Sequence, residues 1–157
     1  MKSRSRTLRA TAAALLWCLV ALTGSGATAL AATPDQAPAQ PPGQARVWFL
    51  RQLLPGTNFH PPMVYVNGAP IARAVEGTVF YRDFAPGKYV FGVENCLPQA
   101  GTSQTVTLTP DMQIALQVNS DENGAWACIP PQISYLQWVQ PNQVPYLFAP
   151  LTYMGPM

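Results

Sequence analysis

Few side chains in this sequence could carry covalent chemistry, and their spacing points to structure instead. Cys96 and Cys128 lie about thirty residues apart, and pairing them would stabilise the chain by on the order of 3 to 4 kcal/mol in chain-entropy terms. A redox motif would want Cys-x-x-Cys, and a thiol nucleophile would want a cysteine without a mate. A disulfide between Cys96 and Cys128 is therefore expected. His60 is the sole histidine and sits in a proline-flanked stretch, residues 54–62. A zinc site takes three or four protein ligands, and a hydrolytic triad needs a positioned nucleophile and a carboxylate. Ser103, Ser120 and Ser134 lie in no such motif. Asp121 and Glu122, with Asn119, Ser120, Asn123 and Gly124, offer oxygens of the kind calcium uses, but not at EF-hand spacing. A polar hairpin tip accounts for them. The expectation is no catalytic residue, no metal site, no cofactor and no enzymatic activity. Trp48, Trp126 and Trp138 remain as candidate platforms for stacking a sugar ring, provided two of them are exposed together beside polar groups.

The compartment that would oxidise those cysteines is written at the amino end. Lys2, Arg4, Arg6 and Arg9 precede an uncharged, mostly apolar run from Ala12 to Leu22. That order is the order of a secretory signal peptide. A spanning helix needs roughly 20 apolar residues, and Thr23, Gly24, Ser25 and Gly26 interrupt this one earlier. Small residues at Ala29, Ala31 and Ala32 place cleavage near 31 or 32, removing Cys18 with the signal. Cys18 follows Trp17 inside the apolar run, so a lipoprotein signal is not indicated, and no paired arginines suggest the twin-arginine route. Five basic residues then face seven acidic ones, a net charge of −2. Nucleic-acid binding and polybasic membrane binding both need clustered positive charge, which the mature chain lacks. A periplasmic or secreted protein, with no transmembrane span after cleavage, is expected.

The organisation is read as signal (1–31), Pro-rich linker (32–44), β-sandwich domain (45–139) and extended tail (140–157). Residues 33–44 have many prolines and no apolar periodicity, as a tether would. Beyond Ala45 the period is two, the spacing of strands with one face on a core. Ile114, Leu116 and Val118 alternate with Gln113, Ala115 and Gln117, and Val106 and Leu108 with Thr105, Thr107 and Thr109. Tyr89, Phe91 and Val93 form a third such set. Arg46 to Leu53, Met63 to Asn67 and Thr78 to Phe84 are rich in β-branched and aromatic residues, and Ala125 to Ile129 completes a set of about seven strands. Asn67-Gly68 and Pro86-Gly87 mark reversals. An all-β fold follows, a small antiparallel sandwich or barrel.

The runs Val64-Tyr65-Val66-Asn67-Gly68, Gly77 to Phe84 and Ala85-Pro86-Gly87-Lys88-Tyr89-Val90-Phe91, opened by Ala45 to Leu50, resemble the signature of transthyretin-like and PEGA-like bacterial envelope domains. They are most similar to a family of exported bacterial proteins of unknown function, often lipoproteins. The resemblance spans roughly Ala45 to Val118 and implies a small non-enzymatic sandwich. The chain departs from that family in lacking a lipobox cysteine, so no lipid anchor is implied.

From Ile129 the sequence carries no charge but has prolines at 130, 131, 141, 145, 150 and 156, with Tyr135, Trp138, Tyr146, Phe148 and Tyr153 among them. Such frequent proline is expected to bar a helix and any central strand, leaving extended segments. The segment is either a strap that completes the core or an arm that docks on another protein. Ile133 to Val139 is assigned to packing. Gln143 to Met157 is assigned to a partner, with Tyr146, Phe148 and Tyr153 as its contacts, so that removing it would abolish binding and spare stability. The function expected is a non-catalytic accessory or interaction domain of the bacterial cell envelope, its partner another envelope protein; the alternative is a carbohydrate-binding sandwich. Mass spectrometry of the exported protein should find its amino terminus between Leu30 and Thr33. Recovery of the exported protein with Met1 intact would contradict this.

Overall fold

The computed structural model describes residues 37–53, 60–95, 102–121 and 133–157. Among the described residues nine strands and one short helix follow in order: β1 (Ala45–Arg51), β2 (Met63–Val66), β3 (Ala69–Arg73), β4 (Thr78–Phe84), β5 (Gly87–Val93), β6 (Ser103–Leu108), β7 (Gln113–Asp121), β8 (Ile133–Trp138), α1 (Val144–Phe148) and β9 (Thr152–Pro156). They form a five-stranded sheet in the order β8-β7-β1-β4-β9 and a four-stranded sheet in the order β3-β2-β5-β6. The all-β sandwich expected from the periodicity is the observed fold. The expected strand at Ala125 to Ile129, both mature cysteines, Trp126 and the signal segment lie outside the described residues. No helix among the described residues is long and apolar enough to cross a membrane.

Alternation explains how the layers meet. Val47 and Phe49 of β1, Phe80 of β4, Ile114, Leu116 and Val118 of β7 and Leu136 of β8 point inward from the larger sheet. Val64, Val66, Phe91, Val93, Val106 and Leu108 meet them from the smaller one. Phe49 stacks on Phe80 at 5.2 Å and meets Phe91 edge-on at 5.8 Å. One side of the sandwich is closed by side-chain amides: Asn95 accepts from the Ser134 N–H at 2.9 Å and donates to its carbonyl, and Gln104 reaches the Leu136 carbonyl at 3.2 Å.

Two turn signals have different outcomes. Asn67 and Gly68 both take positive φ, 50° and 81°, and join β2 to β3. This is the backbone of a primed hairpin turn, whose twist suits paired strands. The Asn67 carboxamide also accepts the Val90 N–H at 2.9 Å, tying the turn to β5. Pro86 does not close a hairpin: it carries the chain from β4 in one sheet to β5 in the other. Most pairings are antiparallel, but β7 and β9 return beside β1 and β4 in parallel. β3 was not apparent from the sequence because Pro70 and weak alternation mark it as an exposed edge strand.

Every residue of β1 is buried, and a one-sided sheet would not do this. The outward residues Trp48 and Leu50 lie beside Tyr81 and Val79 of β4 in register, and beneath Val139, Phe148 and Leu151. The carboxyl-terminal residues therefore form a second core on the outer face. This corrects three expectations. The tail is not an extended arm, since β9 pairs with β4 and its flanks bond Thr152 N–H to the Gly77 carbonyl (2.8 Å) and Met157 N–H to the Tyr81 carbonyl (3.1 Å). Proline does not bar a helix here, because Pro145 falls in the first turn of α1, where a missing N–H costs nothing. Residues 37–44 of the linker lie on the domain, with Ala37 against the second core and Gly43 N–H bonded to Asp111.

Removal of Gln143 to Met157 is thus expected to destabilise the domain rather than spare it. Phe148→Ala, at a buried ring, should cost about 3 kcal/mol and lower the melting temperature by roughly 10 to 20 °C. Tyr146→Ala, at a side chain 81 % exposed, should stay within about 0.5 kcal/mol. Thermal unfolding of the two variants side by side checks this, and equal melting temperatures would contradict it.

Candidate ligand cleft

The outer face is held in place by one buried charge. Arg46 is 3 % exposed and directly opposes Asp83 across the β1–β4 pair. Its Nε and Nη2 donate to the two Asp83 oxygens at 2.7 and 2.8 Å, and its Nη1 donates to the Pro38 carbonyl at 2.6 Å. The guanidinium lies 3.8 Å from the Tyr81 ring centroid and 5.7 Å from that of Trp48. A buried cation needs such bidentate pairing to offset desolvation. The hydrogen bonds to Asp83 raise the already high pKa of Arg46 against the opposing effect of burial. Tyr153 stacks on Tyr81 with centroids 6.0 Å apart and planes within 5°. Burial pushes the Tyr153 phenol up to about 12, so it is neutral at physiological pH. Together these groups fix the outer face.

Beside this fixed surface the edge strand β8 and its neighbour β7 part company. β7 begins at Gln113, but β8 ends opposite Leu116, and the last bond between them runs from the Val139 N–H to the Ala115 carbonyl at 3.0 Å. Past Val139 the chain turns away: Pro141 cannot donate to a ladder, and Gln140 N–H goes to the Gln143 carboxamide at 3.2 Å. The divergence opens a cleft of about 510 Å³ between Met112–Ala115 on one side and Trp138–Pro141 with Val144 on the other, with Trp48 at its back. No charged residue lines it. Trp48 Nε1 points at the Gln113 side-chain oxygen at 3.4 Å, leaving the Gln113 NH₂ as a donor; Gln140 supplies a second carboxamide. The cleft can stack, make van der Waals contact and exchange neutral hydrogen bonds. A smaller hollow of about 400 Å³ lies between β3 and β4, but Arg82 and Asp83 line it together.

The candidate residues divide as follows. Trp48 is 8 % exposed and meets Phe148 edge-on at 5.5 Å, so it does not offer an open stacking face. Trp138 is 37 % exposed at the cleft lip. Among the described residues, then, there is no pair of exposed tryptophans of the kind a two-platform sugar site requires; Trp126 lies outside them. Of the tail residues assigned to a partner, Tyr146 faces solvent, whereas Phe148 (6 % exposed) and Tyr153 face their own domain. His60 Nε2 lies 3.1 Å from Arg73, which also bonds the Pro61 carbonyl and pairs with Glu94. Ser134 and Ser120 meet each other across β7–β8. Gln113, Gln140, Met112 and Val144 carry no motif, and only the mismatch of strand lengths brings them together. No protein-family model matches the chain, and no curated protein is significantly similar to it.

Proposed function

We propose that this chain is a non-catalytic interaction domain exported to the bacterial cell envelope, where it holds a partner protein through the Trp48–Trp138 cleft. The observation that carries the reading is an uncharged cleft with a half-exposed tryptophan at its lip, built on a sheet face buried elsewhere. Aromatic side chains are enriched at protein interfaces, and a central tryptophan in a desolvated pocket often dominates the binding energy. Export is supported by the basic, apolar and small-residue order of residues 1–31, and a Cys96–Cys128 disulfide would suit that compartment. A non-enzymatic sandwich is also what the resemblance of residues 45–118 to transthyretin-like envelope domains implies.

A second reading, a carbohydrate-binding module, draws on one observation: the exposed face of Trp138 stands near two carboxamides, a combination that suits a neutral sugar. The buried state of Trp48 weighs against it.

The test is capture from envelope extract with the tagged mature protein, comparing the unaltered chain with Trp138→Ala. Loss of the captured protein, at a melting temperature within a few degrees of the parent, is expected for a side chain at the cleft lip. Identical capture by both proteins would contradict the assignment to this cleft.

A further inference from the structure

The mismatch between β7 and β8 leaves more than a hollow. Along a strand, successive peptide groups point to opposite sides. The Met112 carbonyl faces β1, where it accepts the Arg46 N–H at 2.8 Å, and the Ala115 carbonyl faces β8, where it accepts the Val139 N–H. Gln113 shares the direction of Ala115, so its N–H and carbonyl point to the β8 side. No residue of β8 stands there, because the register stops at Leu116 and Trp138. The cleft floor therefore carries one donor and one acceptor at strand spacing, between Trp138 on one side and Trp48 on the other.

We infer that the cleft binds an extended, uncharged peptide of the partner, which adds to the open edge of β7 in line with β8. The inference rests on the proposal that the cleft is the binding surface, and it names the chemistry of the occupant. Three observations select it. The lining has no charge, so a charged occupant would lose its hydration without a countercharge. The donor and acceptor of Gln113 match one residue of an added strand, which is how sheet-edge recognition obtains its main-chain bonds. The open edge from Met112 to Ile114, short of the paired Ala115, spans roughly 7 Å at about 3.3 Å per residue, room for about three residues of an added strand. Alternate side chains of that strand would fall toward Ile114 and toward Ala115, which project to opposite faces of β7. The side-chain amides of Gln113 and Gln140 are then available to its flanking groups.

The test uses the mature protein and a randomised, displayed pool of capped peptides about five residues long, followed by binding measured through tryptophan fluorescence. The selected peptides should be uncharged and should bind Trp138→Ala at least about tenfold more weakly. N-methylation of single peptide bonds should weaken binding about tenfold at one position facing Gln113 and leave the neighbouring positions unchanged. Selection of charged sequences, or an equal response to N-methylation everywhere, would overturn strand addition. Neutral oligosaccharides that bind in a Trp138-dependent way, where no peptide does, would overturn it while leaving the cleft as the binding surface. If neither probe binds in a Trp138-dependent way, both readings fall.

Discussion

The rest of the structure depends on the burial of β1 on both faces. A central strand whose inward side chains are Val47 and Phe49 and whose outward ones are Trp48 and Leu50 cannot stand at the surface of a two-layer sandwich without a third layer over it. The carboxyl-terminal residues supply that layer. Fully burying side chains of this size is worth roughly 1.5 to 3 kcal/mol each, enough to hold a proline-rich segment that has little propensity of its own. Arg46 sets the other boundary of that face. Its guanidinium is stacked on Tyr81 and locked by Asp83, so the register of β1 against β4 and the position of the Pro38 carbonyl are specified together.

The cleft is a consequence of how that third layer is reached. The chain must leave β8 to cross the outer face, and it does so at Gln140–Pro141, three residues before α1. β7, alongside, begins farther out at Gln113, where it pairs with Arg46. One strand stops early because its continuation is required elsewhere, and its neighbour is left with an open edge under two tryptophans. The same segment that completes the outer core therefore also builds the candidate binding surface, and stability and recognition share residues. Val139 illustrates this: its N–H makes the last ladder bond, its side chain belongs to the second core, and it lines the cleft.

Much of the sandwich was legible because its strands obey simple alternation. Ile114, Leu116 and Val118 on one side of Gln113, Ala115 and Gln117 could only be a strand, and Asn67-Gly68 could only reverse the chain. The tail is not legible in the sequence for two physical reasons: Pro145 breaks a helix except in its first turn, where it falls here, and the place of Phe148 depends on the outer apolar face of β1, which is distant in sequence. That face did leave a trace: Val47, Trp48, Phe49 and Leu50 are apolar on both parities, the mark of a strand covered twice. The cleft left none. It arises from a difference in where two strands end, a tertiary relation that no local pattern of Gln113 or Gln140 records.

Native-state hydrogen exchange resolved to single amides tests the central claim most directly. Local openings expose amides at low free energy, whereas those in the core exchange only on global unfolding. If the carboxyl-terminal layer is an integral part of the domain, the Thr152 and Met157 amides, bonded to the Gly77 and Tyr81 carbonyls, should exchange in the same slow cooperative unit as Val47 to Leu50 of β1. Rapid exchange at Thr152 and Met157 while β1 remains protected would show a detachable tail, and the account of a third layer that both completes the core and frames the cleft would be wrong.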